Sequence, residues 1–218
     1  MRLGILGGSF DPIHLGHLLL AECCREQRRL DAVWFLPAAV PPHKQDHELT
    51  PGAQRIEMIE LAIAGNPAFS VCRHEVDRGG VNYTVDTLAH FQEEDSSREL
   101  FFLMGADMFS DLPNWRSPAR VCRLALPVVV RRPDTAPVDF ACLSEIVPSE
   151  RLDLIRQHQV EMPEVGLSST QIRRLVSQGH SIRYRVPRAV EMYIQSQGLY
   201  GAGHDGGDTD ELNTDAHR

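Results

Sequence analysis

Two segments far apart in the sequence carry residue types suited to handling phosphate. The first is Gly7-Gly8-Ser9-Phe10-Asp11-Pro12-Ile13-His14-Leu15-Gly16-His17. Glycines at the end of a strand let backbone N–H groups approach an anion closely. A helix that follows turns its positive N-terminus toward the same space. His14 and His17 are three residues apart across that helix start, so both rings can point at one phosphate. Gly16 between them leaves room for a ligand. Taken alone, Gly7-Gly8 also reads as a tight turn and the histidines as helix-surface residues. The segment supplies too few ligands for a metal site. Nor is it the G-x-G-x-x-G fingerprint, because Asp11 and Pro12 stand where the last glycine would fall.

The second segment is Gly166-Leu167-Ser168-Ser169-Thr170-Gln171-Ile172-Arg173. A hydroxyl at a helix start usually caps it, but three in succession exceed what one cap needs. Arg173 lies one turn further on, so its guanidinium can fold back over the same end. Helix N-terminus, hydroxyls and arginine together make a pyrophosphate clamp.

The elements that must position these segments alternate short apolar runs with amphipathic stretches, the pattern of a parallel α/β sheet wrapped by helices. Strands are expected at 2–6, 32–37, 69–73, 99–104 and 124–130, the last open to interruption at Pro127. Helices are expected at 15–29, 83–92, 150–156, 168–178 and 187–197, with Gly179 and Gly198 closing the last two. Thr50-Pro51 and Ser117-Pro118 read as helix starts with a capping hydroxyl followed by proline. Ile56, Ile59 and Ile63 then fall at helical spacing until Gly65. Residues 134–148 are proline-rich without a clear periodicity, and 160–165 read as extended.

The chain has 218 residues, 42% hydrophobic and 24% charged, which suits one globular domain. A net charge of −8 argues against nucleic acid as a partner. The acidity concentrates in 201–218, where Asp205, Asp208, Asp210, Glu211 and Asp215 face Arg218 alone. That glycine-rich tail lacks the apolar residues to fold, so the domain is expected to span 1–200 and the tail to be disordered. Five cysteines without a C-x-x-C pair read as reduced thiols. With no signal peptide and no long apolar run, the expected location is the cytoplasm, away from membranes. Composition leaves a homo-oligomer open.

The two phosphate segments together resemble the paired motifs of the nucleotidylyltransferase superfamily, a glycine-rich F-D-P-x-H-x-G-H loop and a late S-S-T-x-I-R helix start. Further stretches extend the likeness to Tyr200. They are Val40-Pro41-Pro42-His43-Lys44, Gln54-Arg55-Ile56-Glu57-Met58, Asn82-Tyr83-Thr84-Val85-Asp86-Thr87-Leu88, Gly105-Ala106-Asp107, Asn114-Trp115-Arg116, Val130-Arg131-Arg132-Pro133 and Gly198-Leu199-Tyr200. Across them the chain is similar to the bacterial nicotinate-nucleotide adenylyltransferase family. One departure is Leu167, where isoleucine is common, and the acidic tail lies outside the resemblance.

The resemblance implies a Rossmann-like doubly wound parallel sheet, helices on both faces and a C-terminal helical segment. It implies transfer of AMP from ATP to nicotinate mononucleotide, with Mg²⁺ carried mainly by substrate phosphates and water rather than by a protein cage. His14 and His17 would steady charge at the α-phosphorus, and Arg173, Ser169 and Thr170 would hold the pyrophosphate. Gly8, Ser9 and Phe10 would support the phosphates. Gly105 and Asp107 would take the adenosine ribose, and Arg132 would lie by the adenine. Lys44 would add charge on a loop, residues 40–48, able to close over substrate. Trp115 would stack on the pyridine, with backbone N–H groups near Thr84 and Arg116 receiving its carboxylate.

Four alternatives remain open. The same reaction on nicotinamide mononucleotide differs by one amide. Pantetheine-phosphate and cytidylyl transfer share the motifs, although the former family generally carries threonine where His14 stands. A nucleotide sensor without turnover would need only the fold.

Overall fold

A computed structural model describes residues 1–39, 49–131 and 137–201. Lys44, Arg132, the 40–48 loop and the tail after Gly201 lie outside the described residues. The chain builds β1 (Arg2–Gly8), α1 (Leu15–Arg28), β2 (Ala32–Pro37), α2 (Gly52–Ile63), β3 (Phe69–Val71) and α3 (His74–Arg78). It continues through α4 (Thr84–Glu94), β4 (Glu99–Gly105), α5 (Ala106–Asp111), α6 (Pro118–Leu124) and β5 (Leu126–Arg131). The last elements are α7 (Ser149–Gln157), β6 (Val160–Glu161), α8 (Ser169–Ser177) and α9 (Arg188–Ser196).

The six strands form one sheet in the order β3-β2-β1-β4-β5-β6, every neighbouring pair parallel. This is the doubly wound α/β fold expected from the sequence. Its central strands are apolar throughout because helices cover both faces. Leu3–Leu6 of β1, Leu100–Met104 of β4 and Leu126–Val130 of β5 are all buried. The sheet reverses its winding between β1 and β4, and such folds bind ligands outside the carboxyl ends of the strands there. Among the described residues no helix is long and apolar enough to cross a membrane.

Several local expectations change. Pro127 does not interrupt β5; it pairs opposite Phe102, while β6 reaches only Val130 and Arg131. The proline thus sits where β5 has a strand on one side alone, so its missing N–H is tolerated. Thr50 does not cap α2. The flanking residue is Pro51, and the Thr50 hydroxyl donates instead to the Tyr200 oxygen at 3.2 Å. Ser117 precedes α6 in a left-handed conformation (φ 53°) and makes no side-chain cap either. The strand expected at 69–73 stops at Val71, and α3 follows where none was expected. Of the extended stretch at 160–165 only Val160–Glu161 pairs as a strand.

Candidate active site

At the reversal point a cavity of about 650 Å³ opens against the ends of β1 and β4. Gly7, Gly8 and Gly105 border it, and Leu36, Met104, Met108 and Met162 add apolar wall. Its polar side chains fall into two clusters, each with its own internal contacts. One contains Ser9, His14, His17, Ser168, Ser169 and Thr170. The other contains Asn82, Tyr83, Thr84, Trp115 and Arg116. Of the residues expected from sequence, Gly8, Ser9, His14, His17, Thr84, Gly105, Trp115, Arg116, Ser169 and Thr170 line this one space.

In the first cluster the imidazoles of His14 and His17 stack, 3.7 Å between centroids and 17° between planes. Burial pushes His14 down to about 4, and burial reinforced by His14 holds His17 well below 6.5. Both rings are therefore neutral at pH 7. The His14 backbone N–H donates to Nδ1 of His17 at 3.3 Å, which leaves the His17 proton on Nε2. Nδ1 of His14 is buried without a protein partner. An orphaned buried polar atom costs about 1–3 kcal/mol, which the packing around the pair must offset. Gly16 lines the cavity, as expected, and is small for a second reason as well. A Cβ there would come within 3.1 Å of the His14 ring, so glycine makes room for that imidazole.

The second phosphate segment meets the first directly. Ser168 caps α8, its hydroxyl accepting from the Gln171 N–H at 3.2 Å. The Ser169 hydroxyl donates to the Pro12 carbonyl at 2.9 Å, and Arg173 Nη1 donates to the Asp11 carbonyl at 2.7 Å. Arg173 is not among the lining residues; its guanidinium ties α8 to the loop from behind. Phe10 also stands behind the cavity wall. It is buried, and its ring meets His17 edge-on at 5.0 Å. Its φ of 48° is a left-handed conformation that costs a bulky residue about 1–3 kcal/mol and persists only where the surroundings enforce it.

In the second cluster, Trp115 is held by a bond from Nε1 to Asp111 Oδ2 (3.1 Å) and by edge contact with Phe102. Arg116 lies 4.5 Å from the Tyr83 ring centre and 3.8 Å from the Asp86 carboxylate. Asp107 is exposed in the first turn of α5 and does not line the cavity, although Gly105 and Met108 on either side do.

Sequence reading did not pick out Glu75, Asn82 or Tyr83 as lining residues. Glu75 accepts from the Thr87 hydroxyl at 2.8 Å, and burial raises its carboxyl above the usual range. Asn82 donates to the carbonyls of Glu75, Gly79 and Gly80 and so fastens α3 to the start of α4. A polar residue two positions before a helix is too common a signal to have marked it. Among the described residues no group of three or more His, Cys, Asp or Glu is arranged to hold a metal ion.

Residues 5–175 match the family described as cytidylyltransferase-like. A protein of Thermomicrobium roseum named "Probable nicotinate-nucleotide adenylyltransferase" is 46% identical over 199 residues, covering 91% of each chain. One of the same name from Thermus thermophilus is 47% identical over 200 residues, covering 92% of this chain and all of its own. In structure, the chain resembles Plasmodium falciparum nicotinic acid mononucleotide adenylyltransferase complexed with NaAD. That likeness has a TM-score of 0.73 at 18% identity and covers 91% of this chain and 97% of the other. Identity near one half along nine-tenths of the sequence goes well beyond a shared fold, and the chain belongs to the nicotinate-nucleotide adenylyltransferase family of nucleotidyltransferases.

Proposed function

We propose that the protein joins the AMP moiety of ATP to nicotinate mononucleotide, forming nicotinate adenine dinucleotide and pyrophosphate. A mononucleotide phosphate oxygen forms the new bond to the α-phosphorus, and the bond to the bridging oxygen breaks with its electron pair leaving on pyrophosphate. The second pKa of a phosphate monoester is about 6, so the nucleophile is already a dianion at neutral pH and needs no base. What the reaction needs is alignment of two anions and stabilisation of the charge that gathers between them.

The observation that carries this reading is the stacked, neutral His14–His17 pair facing the start of α8 within one cavity. His17 offers its Nε2 proton to the reacting phosphates, and His14 contacts the same group. Neutral imidazoles donate hydrogen bonds without taking a proton from the nucleophile. The start of α8 offers the backbone N–H groups of Ser169 and Thr170 to the leaving pyrophosphate, and Arg173 adds positive charge behind them. Gly105 and Asp107 receive the ribose.

In the second cluster Trp115 stacks on the pyridine, and its carboxylate meets the start of α4. There Tyr83 O accepts from the N–H groups of Asp86 and Thr87, and the Thr84 N–H, in the first turn of α4, has no partner within the helix and serves the ligand. Arg116 offsets the negative charge of Asp86 beside that position. This arrangement favours the acid over the amide.

Imidazoles and amide N–H groups do not suit Mg²⁺, which prefers oxygen ligands, and a few neutral hydroxyls without a carboxylate do not make a dedicated protein site for it. The ion fits better as part of the substrate, bound to triphosphate oxygens and water. Residues 1–200 carry the activity, with ATP and nicotinate mononucleotide as the partners.

The test is pyrophosphate release with ATP and Mg²⁺, comparing nicotinate mononucleotide with phosphopantetheine as acceptor. Release only with the nucleotide supports the reading. Nucleotide binding without release would leave a sensor.

A further inference from the structure

Behind the phosphate loop lies a set of polar residues that the chemistry above does not use. Asp11, Thr50, Arg55 and Tyr200 are all buried, between 1% and 8% exposed, and none of them lines the cavity. Their bonds converge on the loop. Thr50 Oγ1 donates to Tyr200, and the Tyr200 hydroxyl donates to Asp11 Oδ1 at 2.6 Å. The Thr50 N–H donates to Asp11 Oδ2 at 3.4 Å. Arg55 gives Nη1 to the Ser9 carbonyl (2.7 Å), Nε to the Thr50 carbonyl (2.8 Å) and Nη2 to the Ala39 carbonyl (3.5 Å).

We propose that these four residues are a positioning layer for adenylyl transfer, through which Tyr200 sets the placement of Ser9, Asp11 and the His14–His17 pair. The inference rests on the adenylyl-transfer reading for what the loop positions. A buried guanidinium or carboxylate is a poor way to fill a core, since apolar residues of similar volume do so at least as well. Here Arg55 joins three separate backbone segments, a task for a rigid five-donor fork that lysine cannot reproduce.

The loop also needs outside support. Phe10, between Ser9 and Asp11, is held in the left-handed region, so the bonds on either side must fix it. The α8 contacts rest on the same place, Arg173 on the Asp11 carbonyl and Ser169 on that of Pro12. Tyr200 is suited to its part because burial and the adjacent Asp11 carboxylate push its phenol up, keeping the hydroxyl a donor. A shift of Asp11 would therefore move both halves of the phosphate cluster at once.

The test compares Tyr200→Phe with Tyr193→Phe. The Tyr193 hydroxyl donates to Glu57 between α9 and α2, an exposed tyrosine–carboxylate bond that includes none of the four residues and does not touch the loop. Turnover and calorimetric affinity for an unreactive ATP analogue are measured at a temperature where melting curves show each variant folded. Tyr200→Phe should lower kcat roughly tenfold and weaken analogue binding several-fold, while Tyr193→Phe leaves both within about twofold. Thr50→Val, which removes only the donor to Tyr200, should move both readouts the same way by about two- to threefold. If Tyr200→Phe and Thr50→Val lower the melting temperature but keep wild-type kcat and analogue affinity, the layer is merely structural and the proposal falls. Analogue affinity does not depend on the acceptor, so inactivity of the wild type toward nicotinate mononucleotide would count against the function reading and leave this test standing.

Discussion

The two polar clusters of the cavity are held to different degrees. In the phosphate cluster the loop backbone is the anchor: Ser9, Asp11 and Pro12 are each gripped through a carbonyl, by Arg55, Arg173 and Ser169, and the two histidines lock onto one another. In the other cluster only Asn82 is buried and fastened to backbone carbonyls, while Arg116 and Tyr83 are exposed and meet by stacking, and Trp115 depends on one hydrogen bond and one ring contact. The difference follows from the work assigned to each. Bringing two phosphates into line tolerates very little displacement, whereas discriminating a pyridine ring tolerates side-chain adjustment. Substitutions should accordingly change turnover in the first cluster and substrate affinity in the second.

The largest effect is expected at His17. His17→Ala removes a donor from the charge developing at the α-phosphorus, worth about 3–4 kcal/mol, so kcat should fall roughly 100- to 1,000-fold. Steady-state kinetics should show KM for nicotinate mononucleotide changed far less. A KM effect as large as the kcat effect would erase the contrast between the clusters.

Second in size is the pH dependence of stability. His14 has a folded pKa of about 4 against 6.5 unfolded, so between these values the unfolded chain binds more protons. Its contribution is present above pH 6.5 and is lost as pH falls toward 4, a change of about 3 kcal/mol at most. His17 acts in the same direction, and Glu75, with its raised carboxyl, in the opposite one. Melting temperatures between pH 7 and 4.5 should fall steeply in the wild type and less so in His14→Gln. Parallel curves would mean that the pair is not held neutral.

A smaller effect is expected at Arg116. Arg116→Ala leaves Asp86 unopposed at the start of α4, and KM for the acid substrate should rise about three- to tenfold with kcat nearly unchanged. An equal rise for the amide would show that the guanidinium acts on the ring rather than on charge. The smallest effect is expected from a chain ending at Gly201. Its turnover should match the full chain within about twofold, because the last of the described residues that line the cavity is Thr170.

The sequence was most legible where one local rule sufficed. Unbroken apolar runs marked β1, β2 and β4, and the glycines after β1 together with the hydroxyl run before Gln171 marked the phosphate cluster. Errors arose where a distant partner outbids a local one. Thr50 looked like a cap, but its hydroxyl goes to Tyr200, 150 residues away. Gly16 was read as making space for a ligand, and it does border the cavity, but the close packing of the His14 ring against it could not be read. Arg55 gave a readable signal: it shares a helix face with Met58 and Ile59, where an unsupported charge would be costly. What it supports could not be read, since the carbonyls it reaches meet only in three dimensions.

The most direct measurement offers the wild-type enzyme equal, limiting concentrations of nicotinate and nicotinamide mononucleotides with ATP and Mg²⁺, and weighs the products by mass spectrometry. The account predicts nicotinate adenine dinucleotide in at least about tenfold excess, the value of one charge-assisted hydrogen bond at the start of α4. Equal products, or an excess of the amide dinucleotide, would contradict it.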